Sequence, residues 1–159
     1  MSNSVEKTVC FTGHRSIPLL KKRKIEKRLR ERLEELIQEG YCFFGAGGAL
    51  GFDTMAAQTV LDLRKNHSEI KLILVLPCKN QTRGWTEKDI AIYEKIMAQA
   101  DKVVYTQENY DRGCMFKRNR HLVDNSSVCV SYLTENKGGT AYTVNYANQK
   151  GVRVINVAE

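Results

Sequence analysis

Along this chain, short, nearly continuous apolar stretches alternate with longer ones whose apolar positions recur every three or four residues. The first kind covers 7–12, 41–45, 70–76, 102–106, 127–133 and 152–157, and each reads as a β-strand. Continuous rather than alternating hydrophobicity means burial on both faces, as in a parallel sheet covered by helices on each side. The second kind supplies those helices. Over 19–39, Ile25, Leu29, Leu33, Leu36 and Ile37 fall on one stripe, and Gly40 ends it. Further helices are expected over 53–66, 86–100, 115–125 and 140–150, the last stopped by Gly151. Six strands with five crossovers predict an α/β fold: a Rossmann-like, doubly wound, mainly parallel sheet of about six strands with helices on both faces.

Length adds that 159 residues make one domain, 1–159, with 1–5 expected to be flexible. No apolar run reaches membrane-spanning length, and the opening residues lack a secretion-signal pattern, so a cytoplasmic protein with no membrane partner is expected. Five cysteines without a close pair suggest neither a disulfide framework nor a metal site. Cys10, Cys42 and Cys129 lie in strand-like runs and read as core, while Cys78, after Pro77, has no evident partner for nucleophilic chemistry. No resident metal or cofactor is expected. The net charge of +7 invites a nucleic-acid reading, but much of the excess lies between Lys21 and Arg32. There Lys27 and Glu31, or Arg30 and Glu34, are spaced for intrahelical pairs, and the apolar stripe leaves the charges on a solvated face.

In a doubly wound sheet, ligands bind beyond the carboxyl ends of the strands, so the loops there carry the chemistry. The first strand runs into Thr12-Gly13-His14-Arg15. Gly13 alone reads as a turn residue, while His14 and Arg15 together point to anion contact. After the second strand, Gly45-Ala46-Gly47-Gly48-Ala49-Leu50-Gly51-Phe52-Asp53 leads straight into a helix, a pattern that can cradle a phosphate. Asp53 could cap that helix or accept a ribose hydroxyl, and capping is the reading its position favours. The cluster follows the second strand, with no acid closing the third, so it does not fit ordinary NAD dehydrogenase chemistry. A second loop of the same kind, Lys137-Gly138-Gly139-Thr140, again joins a strand to a helix. Trp85, near Gln81, reads either as a loop anchor or as a π face for a nucleobase. Arg118 and Arg120 fall on different helix faces, so one at most enters a given pocket, with Asn119 beside them; Asp124 could pair with either arginine.

Taken in order, Cys10-Phe11-Thr12-Gly13-His14-Arg15, GGALGFDTMAA at 47–57, RGCMFKRNRHLVDNS at 112–126 and GGTAYTVNYA at 138–147 resemble the SLOG superfamily, which includes DprA (Smf) and the Lonely Guy enzymes. The four motifs, with Gln81 and Trp85, look most like its YpsA-like branch, over nearly the whole chain. The resemblance implies binding of nucleotides or their derivatives, on Gly13, His14, Arg15, Gly47, Gly48, Gly51, Asp53, Gln81, Trp85, Arg118, Asn119, Gly138, Gly139 and Thr140. Some members cleave a base from a nucleoside monophosphate, using a glutamate shortly after the second glycine loop. Here Ala141, Tyr142, Thr143, Val144 and Asn145 stand in that stretch, and only Asp53, Asp124, Glu108 or Glu135 could substitute. No catalytic residue is therefore assigned. The leading expectation is a non-catalytic binder or sensor of a nucleotide-derived ligand such as an ADP-ribose derivative. A phosphoribohydrolase-like enzyme and DprA-like binding of single-stranded nucleic acid are the alternatives, the second not favoured, and a homo-oligomer is compatible with the sequence.

Overall fold

In a computed structural model, residues 3–159 are described. A helical turn, α1 (Asn3–Glu6), precedes β1 (Thr8–Gly13). Of the segment expected to be flexible, residues 1 and 2 lie outside the described residues, and the rest enters this turn. After β1, a 3-10 turn (Leu19–Lys21) leads into α2 (Lys22–Gln38). Then come β2 (Phe43–Ala46), α3 (Phe52–Arg64), β3 (Lys71–Leu76), α4 (Glu87–Gln99) and β4 (Lys102–Tyr105). The chain ends with α5 (Cys114–Asp124), β5 (Val128–Tyr132), α6 (Gly138–Gln149) and β6 (Arg153–Asn156). The six strands form one sheet in the order β4-β3-β2-β1-β5-β6, every neighbouring pair parallel.

The burial that produces this order is the one expected from the continuous apolar runs. One face of the sheet, with Val9, Phe11, Phe44, Leu72 and Leu74, packs against the α2 stripe, α3 and Ile96 of α4. The other, with Cys10, Val75 and Cys129, packs against Leu122 and Val123 of α5 and Ala147 of α6. From β1 the chain builds outward to β4, then crosses back to lay β5 on the other side of β1. The loops after β1 and β5 therefore diverge to opposite faces, and a crevice opens between them at the carboxyl ends.

Three local details differ from the expectation. The basic residues of α2 do lie on its exposed face, but Arg30 pairs with Asp62 of α3 at 2.6 Å and Arg32 with Glu35 at 3.0 Å, rather than with acids four residues on. A tertiary carboxylate within reach outcompetes a weak intrahelical partner. Cys10 and Cys129 are buried as expected, whereas Cys42, just ahead of β2, is only half-buried. Finally, α6 starts at Gly138 rather than at 140, which makes both glycines part of its first turn.

Candidate functional site

The crevice between β1 and β5 widens into a cleft of about 350 Å³, with Gly13, His14 and Arg15 on one wall and Lys137, Gly138 and Gly139 opposite. Ala49, Asp53, Met115, Arg118 and Asn119 line its floor and sides. Met115, Arg118, Asn119 and Leu122 recur at helical spacing on the inward face of α5, which is why Arg118 enters the molecule. Arg120 instead bonds the exposed Tyr142 hydroxyl at 3.1 Å.

Arg118 is 4% exposed. Its Nη1 donates to the Gly47 carbonyl, its Nε to Asn119 Oδ1 at 2.7 Å, and its Nη2 contacts Met115 Sδ at 3.6 Å. A guanidinium carries five N–H donors, so two remain beyond these three contacts. Asn119 Nδ2 donates to Thr143 Oγ1 at 2.9 Å, and that hydroxyl donates to the Gly139 carbonyl at 2.9 Å. This chain of bonds ties the buried arginine to the first turn of α6. Lys137 at the α6 N-cap makes no side-chain cap, so the opening N–H groups of α6 keep their donor capacity and the positive end of the helix dipole faces the cleft.

The two glycine loops play different parts. A Cβ on Gly51 would lie 2.2 Å from the Arg15 carbonyl oxygen, and its φ is +79°, so glycine there lets the loops after β1 and β2 close on one another. A Cβ on Gly47 would lie 2.5 Å from Arg118 Nη1, and one on Gly13 2.4 Å from Phe52. Gly48 is likewise hemmed in by Leu76. Gly139 differs: its φ is outside the left-handed region and nothing lies within 4 Å of where a Cβ would stand. The first loop thus packs around Arg118, and the second presents open backbone to the cleft.

Asp53 does not cap α3; Gly51 holds that position without a side-chain bond. Asp53 sits two residues further in, 6% exposed, and its Oδ2 accepts from the Ala49 N–H at 3.2 Å. The helix start at Phe52 places its side chain under the loop rather than over the helix end. Burial pushes its carboxyl above the usual range, opposed by Arg118, the Ala49 amide and Arg15. Burial likewise lowers the Arg118 guanidinium's affinity for its proton, opposed by Asp53. His14 uses Nε2 to accept from the Thr134 N–H at 2.9 Å and packs edge-on against Tyr132, so its imidazole laces the β1 loop to the β5 loop.

A second cleft adjoins the first through Arg15 and Met115, lined by Asn80, Gln81, Arg83, Trp85 and Tyr110. Trp85 packs edge-on against Tyr93, their ring centres 5.4 Å apart, and Gln81 Nε2 donates to the Tyr93 hydroxyl at 3.3 Å. Of the acids weighed for glycosidic chemistry, Asp53 lines the first cleft. Asp124, at the far end of α5, accepts from Tyr146 at 2.7 Å rather than pairing with Arg118 or Arg120, and Glu108 pairs with Lys79 at 3.1 Å. Cys78 is fully buried and burial pushes its thiol up, which suits core packing. Thr12, Met115 and Lys137 lie within the sequence motifs but carry no role that the sequence assigns, and Arg83 and Tyr110 line the second cleft without one. Among the described residues there is no group of three His, Cys, Asp or Glu side chains that could hold a metal, and no helix long and apolar enough to cross a membrane.

A six-stranded parallel sheet with helices on both faces and a cation-lined cleft at its switch point defines the class of Rossmann-like α/β domains. Within that class, the chain belongs to the YspA SLOG family, whose model matches residues 9–155. It is 31% identical over 139 residues to the uncharacterized SPbeta prophage-derived protein YoqJ of Bacillus subtilis, covering 79% of this chain and 81% of YoqJ. It is also 31% identical over 130 residues to a UPF0398 protein of Bacillus thuringiensis, covering 80% and 71% of the two chains. Among solved structures, the single-stranded-DNA-binding DNA processing protein A of Helicobacter pylori superposes with a TM-score of 0.69 at 20% identity. DprA of Streptococcus pneumoniae does so with 0.69 at 18%. The match covers 96% of this chain in both, but 66% and 50% of those longer chains, and it shows a shared fold.

Proposed function

We propose that this chain binds a nucleotide or nucleotide-derived ligand without transforming it, as a sensor or carrier. The observation that carries the reading is the open first turn of α6: Gly139 has no packing or backbone reason to be glycine, and it faces a buried arginine with two donors to spare. A phosphate there receives backbone N–H groups at the helix end together with the Arg118 guanidinium, with Lys137 and Arg15 at the rim. Asp53 Oδ2 is committed to Ala49, leaving Oδ1 for a ribose hydroxyl. The stretch after Gly139 carries no carboxylate, which speaks against base cleavage of the Lonely Guy kind.

Titration calorimetry against mononucleotides, dinucleotides, ADP-ribose and cyclic nucleotides is the direct test. Binding is expected for at least one class and loss of it in Arg118→Gln; absence of heat across the panel would remove the reading. Chromatography of the same mixtures after overnight incubation should return the nucleotides intact, and release of free base would establish the enzymatic alternative.

Binding of single-stranded nucleic acid is the second reading. The likeness to the DprA fold supports it, and so does a cleft open enough for a phosphodiester to enter the same cation-lined floor. It predicts a gel shift of single strands that weakens steeply with salt and with Arg118→Gln.

A further inference from the structure

The second cleft has a composition unlike the first. It is formed where two loops, 77–86 after β3 and 106–113 after β4, are bonded to each other: the Lys79 N–H donates to the Glu108 carbonyl at 3.1 Å, and the Tyr110 N–H to Asn80 Oδ1 at 3.1 Å. The second of these bonds holds the backbone of Tyr110 over the 77–86 loop, yet its ring is 58% exposed. Trp85 shares the cleft with it, and Gln81 in the wall is 6% exposed with its Oε1 lacking a partner among the described residues. Two π surfaces and two arginines, Arg15 and Arg83, describe a site for a flat heteroaromatic ring. The cleft measures about 540 Å³ and meets the phosphate cleft at Arg15, so one molecule can occupy both.

We infer that this cleft is a base subsite, in which a nucleobase stacks on Trp85 and Tyr110 while its phosphates run past Arg15 to Arg118 and the start of α6. The inference rests on the nucleotide-binding reading above and adds to it: the ligand class is a base-bearing nucleoside phosphate, not a sugar phosphate or a bare anion. Tyr110, Arg83 and Asn80 join the site on this account.

Trp85 is the single tryptophan of the chain, so its fluorescence reports stacking directly. Titrating the full chain with ADP and, separately, with pyrophosphate is expected to show quenching by ADP alone, while calorimetry shows both bound and ADP tighter. Tyr110→Ala, an exposed change that leaves the fold intact, should weaken ADP about tenfold and leave pyrophosphate unaffected. Trp85→Phe should retain most of the ADP preference that Trp85→Ala loses. Equal affinity for ADP and pyrophosphate, with no quenching by either, would overturn the base subsite and leave the phosphate site standing. Failure of both ligands to bind would overturn the two together.

Discussion

Gly51 and Gly139 sit in loops of similar composition but answer to different demands. Alanine at Gly51 must sit at φ +79° against the Arg15 backbone, so G51A is expected to cost about 1–3 kcal/mol in denaturant unfolding. Alanine at Gly139 meets open space in the first turn of a helix, so G139A should unfold no earlier than the parent and still lose nucleotide binding in calorimetry. Stability and binding thus separate across two chemically identical changes. Asp53 gives a third test at this scale. Burial raises its carboxyl more than Arg118 and the Ala49 amide lower it, so the native state holds that proton more tightly than the unfolded chain. The associated stability is fully present below the ordinary carboxylate range and is lost as pH rises through the folded-state value. Asparagine imitates the protonated acid, so D53N should melt at or above the parent at neutral pH, with the gap closing in acid. A lower melting temperature at neutral pH would instead make the carboxylate a required counter-charge for Arg118.

At the scale of elements, the edge strand β4 is held by a side chain as well as by its pairing with β3. Asp101, just ahead of it, accepts from the Leu72 N–H of β3 at 2.8 Å and from Arg64 of α3 at 2.7 Å. Burial pushes this carboxyl up, but the Leu72 amide and Arg64 together bring it below its ordinary value. Its contribution is therefore present above the ordinary carboxylate range and lost as pH falls through the lowered value. D101N should cost about 1 kcal/mol at neutral pH by urea unfolding and nothing in strong acid. The 106–113 loop begins where β4 ends, so slack in this strand should also weaken the base subsite more than the phosphate site. The helices show the same division between local and tertiary causes. α2 was legible from its stripe, and α4 has a threonine cap, Thr86 accepting from the Asp89 N–H at 3.2 Å. α6 starts two residues ahead of the expected Thr140: glycine has poor helix propensity, and only packing of α6 against α5 and β5 draws Gly138 and Gly139 into it.

For the molecule as a whole, the two clefts meet at Arg15, so a ligand spanning them touches loops after β1, β3, β4 and β5 at once. Such a ligand should stabilise the entire domain: at a hundredfold excess over Kd, linkage gives ~2.7 kcal/mol, or a Tm rise of roughly 5–10 °C for a chain of this size. Pyrophosphate, confined to the first cleft, should give a smaller rise at equal concentration. Thermal shift measurements over a concentration series check both.

The nearly continuous apolar runs and the helical stripes were enough to determine the sheet and its parallel sense, because burial on two faces leaves a signature in every residue of a strand. Four motifs in order were enough for the family. Which residues of those motifs line the cleft was decided only by tertiary structure. Gly13, Gly47, Gly48 and Gly139 read alike as letters, but three are hemmed in by neighbouring side chains and one faces open space. Asp53 was legible as an acid at a helix start, yet its burial beside the Ala49 amide and Arg118 is a product of the fold. Arg83 and Tyr110 carry no spacing signal, since they meet across two loops joined by hydrogen bonds between residues about thirty apart in the chain. Periodicity records contacts within an element and with the core; it holds no record of which loops meet above the sheet.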